Sequence, residues 1–147
     1  MNKLRQETAC LRFFGDGLDP AAVTAALGAT PTHAWKKGEL WSNEGVGDLR
    51  STGAWILDGR WDEHMRINDQ ISHLFSSLSK NVAVWKNLNR DFYADVFCGM
   101  FLAQATGNAK LSAETMGLLK ERDLALRIEI YQKETADRQI IHNYLER

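Results

Sequence analysis

The sequence predicts an α+β fold, an antiparallel or mixed sheet with helices packed on it. Three observations carry this prediction: apolar runs with the two-residue period of strands, apolar positions recurring at three and four residues, and start and stop signals at matching places between them. The predicted order is strand, helix, two strands, a long broken helix, strand, helix, strand, and a further helix near residue 140.

Leu11 and Phe13 flank Arg12 in an alternating run that ends at Gly15, Asp16 and Gly17, the pattern of a half-buried strand closed by a turn. Asp19 as N-cap and Pro20 at the first helical position precede Val23, Ala26 and Leu27, with Gly28 just past the end. Pro31 prevents that helix from resuming. Ala34 to Trp41 and Thr52 to Leu57 read as two strands joined by a mobile loop, the polar, Gly-containing stretch Ser42 to Ser51.

Asp62 and Glu63 open a segment in which Ile67, Ile71, Leu74, Phe75 and Leu78 recur at helical spacing, with the acids suiting the first turn of what should be the longest helix. Val82, Trp85 and Leu88 continue the period beyond a break near Lys80 and Asn81. From Tyr93 to Leu102 both faces are apolar, with Val96, Cys98 and Met100 on one and Phe97 and Phe101 on the other, as in an interior strand; Gly99 marks a bulge or close packing. Ser112 caps a helix to about Arg122, with Leu111 and Met116 placed as a hydrophobic staple. Leu124, Leu126, Ile128 and Ile130 then alternate against Arg127 and Glu129 in the cleanest half-buried strand. Ile140, Ile141, Tyr144 and Leu145 share one face of a terminal helix that needs something to dock on. The Leu18-Asp19-Pro20 unit is loosely echoed by Leu111-Ser112-Ala113, a hint of two related halves.

Composition bounds the rest. A chain of 147 residues with 44% hydrophobic and 25% charged residues suits one globular domain over 1–147. Eighteen basic residues nearly cancel nineteen acidic ones, so no broad field steers the chain to nucleic acid or anionic lipid. Met1 to Arg12 contains no apolar run for a signal peptide and no stretch has the length of a membrane span, which predicts a cytoplasmic protein. Cys10 and Cys98 sit in apolar strands and are expected as buried thiols.

The order and spacing of Phe13-Phe14-Gly15-Asp16, Leu18-Asp19-Pro20, Leu27-Gly28, Pro31, Trp35, Lys37-Gly38-Glu39 and Gly53-x-Trp55 resemble a bacterial domain of unknown function, number 4279. The Leu111-Ser112 helix and the strand closing at Tyr131 resemble the C-terminal half of that family, so the likeness spans about residues 8–131 and leaves the tail 132–147 outside. It implies a bacterial cytoplasmic protein of this size, with no established activity and no catalytic residues to carry across.

No arrangement of residues meets the requirements of a catalytic, metal or cofactor site. His33, His64, His73 and His142 show no metal-ligand spacing, and Asp69 with His73, one helical turn apart, cannot fill a coordination shell. The Gly15–Asp19 run lacks the Lys-Ser/Thr of a P-loop and the alternating acids of an EF-hand. No serine stands in Gly-x-Ser-x-Gly and no cysteine in a nucleophile motif.

The tryptophans are the strongest lead. Trp35, Trp41, Trp55 and Trp61 are interleaved with Lys36, Lys37, Arg50 and Arg60, a mixture that stacks bases, anchors a protein partner, or fills a small core, with Glu39, Glu44, Asp48 and Asp58 diluting the positive charge. The expected function is a non-enzymatic protein-binding domain, specifically an immunity protein that neutralises a cognate toxin, with Trp35, Lys37, Glu39 and Trp41 as the partner-binding surface. The alternative is a small-molecule binder or enzyme whose site is assembled from residues distant in sequence.

Overall fold

The computed structural model describes residues 6–41, 48–60, 62, 64–132 and 144–147. Five strands form one mixed sheet in the order β2-β3-β1-β4-β5: β1 (Gln6–Gly15), β2 (His33–Trp35), β3 (Gly53–Asp58), β4 (Tyr93–Leu102) and β5 (Ala125–Gln132). Among the described residues four named helices accompany it: α1 (Pro20–Leu27), α2 (Ile67–Ser76), α3 (Val82–Asp91) and α4 (Ala113–Glu121). Neighbouring strands run antiparallel except β4 and β5, which are parallel. A parallel neighbour needs a crossover, and the segment carrying α4 provides it.

The helix ends follow their capping chemistry. Asp19 accepts from the Ala21 N–H at 3.2 Å and Gly28 takes a left-handed φ of 80° at the far end of α1. Asn81 caps α3 and Ser112 caps α4 through the Thr115 N–H at 3.1 Å. α2 departs from expectation: it begins at Ile67, Arg66 offers no capping side chain, and Asp62 forms a turn ahead of it by accepting from the His64 N–H. The cap comes from another element. Glu7 on β1 accepts from the Ile67 N–H at 2.9 Å and from Arg66 Nε at 2.8 Å, so a buried carboxylate fixes the positive end of α2 to the sheet. Beside it, Gln70 accepts from the Ala9 N–H at 3.0 Å, and Gly59 N–H donates to the Ala9 carbonyl at 2.7 Å, just where β3 ends.

All four helices lie on one face of the sheet. Leu11, Phe13, Trp55, Val96 and Cys98 from the strands meet Val23, Leu27, Ile71, Phe75, Trp85 and Leu119 from the helices in one buried cluster. Trp55 and Trp85 are fully buried, and each indole N–H finds an oxygen, Thr24 Oγ1 at 3.0 Å and the Ser79 carbonyl at 2.7 Å. The opposite face carries a second apolar cluster of Cys10, Phe14, Trp35, Ala54, Ile56 and Phe97.

Several expectations are corrected. The strand expected over Ala34–Trp41 is only His33–Trp35, because Lys36 to Glu39 turn the chain, with Gly38 at φ 87° and the Glu39 N–H donating to the Lys36 carbonyl. α2 is no longer than α3, since the break before Asn81 separates two helices of ten residues each. Gly99 marks close packing, not a bulge: the register runs through it unbroken, and a Cβ there would sit 3.0 Å from Thr8 Oγ1. β5 is an edge strand that the helices cover only at its start, so Leu124 is buried but Ile128 and Ile130 are 39% and 62% exposed. Met116, expected in a staple with Leu111, is also exposed. β1, expected to be half-buried, is covered on both faces, Arg12 included. Trp61, Glu63, Ile140, Ile141, His142 and loop residues 42–47 lie outside the described residues.

Candidate functional site on the face opposite the four helices

Alternation along the strands sends Cys10, Arg12 and Phe14 of β1 and Tyr93, Asp95 and Phe97 of β4 to the face opposite α1–α4. Arg12 and Asp95 stand directly opposite each other in the antiparallel register and both side chains are fully buried. Their pairing is bidentate, with Arg12 Nε donating to Asp95 Oδ1 at 2.8 Å and Nη2 to Oδ2 at 2.7 Å. The planar guanidinium is thereby locked, and the rings of Phe97 and Phe14 lie 4.4 and 5.2 Å from its central carbon. Tyr93 completes the set by donating its hydroxyl to Asp95 Oδ2 at 2.8 Å.

The third guanidinium nitrogen faces away from the sheet. Nη1 donates to the main-chain carbonyls of Tyr144 at 3.2 Å and Glu146 at 2.7 Å. Residues 144–147 therefore cross the face directly above the buried ion pair. Tyr144 and Leu145 rest on the apolar cluster, and Arg147 places its guanidinium 4.3 Å over the Tyr93 ring. The Tyr144 ring meets His33 edge-on at 5.6 Å, and its hydroxyl donates to Asp58 Oδ2 at 3.2 Å. Asp58 keeps an exposed edge, yet burial of its carboxylate raises its pKa, with the Tyr144 hydrogen bond and His33 acting in the opposite direction. Burial, then the Asp58 charge and hydrogen bond, raise the Tyr144 phenol, so it stays a donor.

Tyr144 borders a cavity of about 230 Å³ together with Thr8, Cys10, Asp58, Phe97 and Phe101. Leu145, Glu146 and Arg147 border a groove of about 600 Å³ that Trp35, Trp41 and Arg50 also line. The Arg50 guanidinium stacks 3.7 Å from the Trp35 ring and 5.1 Å from that of Trp41. Trp35 is buried and donates its indole N–H to the Thr52 carbonyl at 2.9 Å, while Trp41 is 42% exposed.

The residues expected to bind a partner thus divide. Trp35 and Trp41 converge on the groove through Arg50. Lys37 and Glu39 do not: Lys37 is exposed and pairs with Asp16 at 2.7 Å, and Glu39 belongs to the turn, its carbonyl accepting from the Arg50 N–H. Trp55 serves the helix-side core.

A family model matches residues 3–133, described as a domain of unknown function, DUF4279. The chain belongs to that family. No curated protein and no solved structure matches it. The DUF4279 match covers every strand and helix above, together with Arg12, Asp95, Tyr93, Trp35, Arg50 and Asp58, and stops short of Tyr144–Arg147.

Sequence reasoning missed Arg12, Asp95 and Tyr144. A signal was present: single opposite charges inside two otherwise apolar runs, Leu11–Phe14 and Val96–Leu102 with Asp95 at its start, are too costly to bury unless they meet. Elsewhere on the DUF4279 domain, the two free thiols are both buried, and burial pushes Cys98 up to about 12 and Cys10 well above its ordinary value. Neither is a thiolate at neutral pH, as a nucleophile requires. Asp69 and His73 are both exposed on α2, and the described residues contain no cluster of three or more metal-ligating side chains. None of the described helices is long and apolar enough to cross a membrane.

Proposed function

We propose that this DUF4279 domain is a protein-binding module that holds a short segment of its partner on the face of the sheet opposite α1–α4. The observation that carries this reading is Arg12: a rigid, buried guanidinium with one nitrogen directed outward, satisfying two main-chain carbonyls two residues apart. A group so placed reads polypeptide, because carbonyls at that spacing occur on any chain whatever its side chains. Trp41 and Arg50 at the rim add an aromatic and a cationic anchor, the residue types that dominate protein interfaces. A cognate toxin is the specific partner expected, which makes the chain an immunity protein; its small size and its lack of a recognised catalytic motif support that form.

The test is capture of partners from lysate of the source organism by wild-type chain and by Trp41→Ala and Arg50→Glu variants. One stoichiometric partner, lost in both variants while their thermal unfolding is unchanged, supports the reading. Relief of that partner's toxicity on co-expression supports the immunity form. A partner retained by both variants removes the face from consideration. The second reading, a small-molecule site, rests on the 230 Å³ cavity, where Thr8, Asp58 and Tyr144 supply polar groups among apolar walls. Ligand-induced stabilisation lost in Asp58→Ala would favour it.

A further inference from the structure

We infer that residues 144–147 are a resident occupant of this face of the sheet, standing where a partner's segment binds, so that the partner must displace them. The inference rests on the protein-binding reading and adds its regulation. Three independent observations lead to it.

The first is satisfaction without the tail. Asp95 already neutralises Arg12 through two hydrogen bonds and accepts a third from Tyr93, so the pair is electrically complete within the sheet. When residues 144–147 leave, Arg12 Nη1 exchanges two carbonyls for water, so the donor does not pay the larger penalty of being buried without an acceptor. The second is fit. Clefts of about 230 and 600 Å³, both open to the surface, border the segment, and of its residues Tyr144 and Leu145 rest on the apolar cluster. The third is extent. The whole receiving surface falls within the family match at 3–133, and the segment that occupies it falls outside.

The occupant also displays the chemistry the face selects: a phenol donating to Asp58, an apolar residue on the Phe14–Phe97 cluster, and a guanidinium over Tyr93, in the order Tyr144, Leu145, Glu146, Arg147. The displacing partner therefore presents a segment with an aromatic hydroxyl followed by an apolar and then a basic residue.

The test uses full-length chain and a labelled synthetic peptide of residues 133–147, followed by fluorescence polarisation. In the wild type the resident segment competes at an effective concentration of roughly millimolar. In a Tyr144→Ala/Leu145→Ala chain it competes poorly, and the peptide should bind the double variant about ten-fold or more tighter than wild type, with Tyr144→Phe intermediate. Adding Asp58→Ala to the double variant should weaken that binding several-fold. These substitutions leave the sheet and the helix-side core intact, and unchanged circular dichroism confirms it. Equal affinity for wild type and double variant, or binding to neither, overturns the inference. The protein-binding reading fails separately: displacement as expected with no captured partner defeats the reading alone, and a partner captured equally well by wild type and double variant defeats the displacement alone.

Discussion

Breaking the Arg12–Asp95 pair from one side should be far more damaging than removing it whole. Both side chains are fully buried at a bidentate separation of 2.7–2.8 Å, and the guanidinium lies between two phenyl rings. Asp95→Ala leaves a buried cation with its two best acceptors gone, and the loss of one member of a buried pair costs about 3–5 kcal/mol. Arg12→Met leaves a buried carboxylate supported by the Tyr93 hydroxyl, so its cost belongs at the lower end of that range. The double change Arg12→Met/Asp95→Leu replaces charge by apolar groups beside Phe14 and Phe97, and should recover most of the loss, ending within about 1–2 kcal/mol of wild type. For a domain of this size each kcal/mol moves Tm by about 2–4 °C, so the Tm of Asp95→Ala should fall by roughly 6–20 °C. Urea unfolding of the four proteins, with m-values checked for equality, measures the cycle. Single variants that each lose under about 1 kcal/mol, or a double variant as unstable as the two losses added, would refute the claim that the pair is a desolvated unit.

Glu7→Gln should cost about 1–3 kcal/mol in the same assay, because it removes the charge that caps α2 and pairs with Arg66; loss below a few tenths would mean that α2 is held by its apolar face alone. For Asp58 the folded pKa lies above the unfolded one, so the folded chain binds more protons across that interval. Its contribution to stability is complete below about pH 4 and is lost as pH rises through the folded pKa. Asp58→Asn should therefore gain on wild type between about pH 4 and neutrality, and a constant difference across that range would contradict the assigned direction. Cys10 and Cys98 should resist alkylation at neutral pH until the chain is unfolded; rapid labelling of either in the native state would show a thiol more accessible than its burial allows.

The order of elements was legible because its determinants are local. Asp19, Pro20 and Gly28 bracket α1, Asn81 interrupts the long apolar run, and Ser112 starts α4, each through hydrogen bonds or dihedral preferences that involve only a few neighbouring residues. Reading failed where the deciding partner is remote. The alternation of Leu124 to Ile130 promised a buried face, but whether a face is buried depends on what the helices reach, and they leave the far end of β5 exposed. The acids at 62 and 63 looked like the start of α2, whereas the carboxylate that caps it comes from Glu7, sixty positions away from Ile67.

The candidate site shows the same division more sharply. Trp35 and Trp41 stood out in the sequence by residue type, and the structure brings them to one groove. Arg12 looked like the solvated side of a strand. Only pairing β1 with β4 sets it opposite Asp95, and only the face of the sheet opposite α1–α4 lets Tyr144 and Glu146 reach its outer nitrogen, 132 and 134 residues along the chain. The sequence alone determined which segments become strands and helices, since propensity, capping and period act within a few residues. Tertiary structure alone decided which charges are buried, which apolar faces stay open and what covers Arg12, because burial belongs to the neighbours a residue meets across the fold.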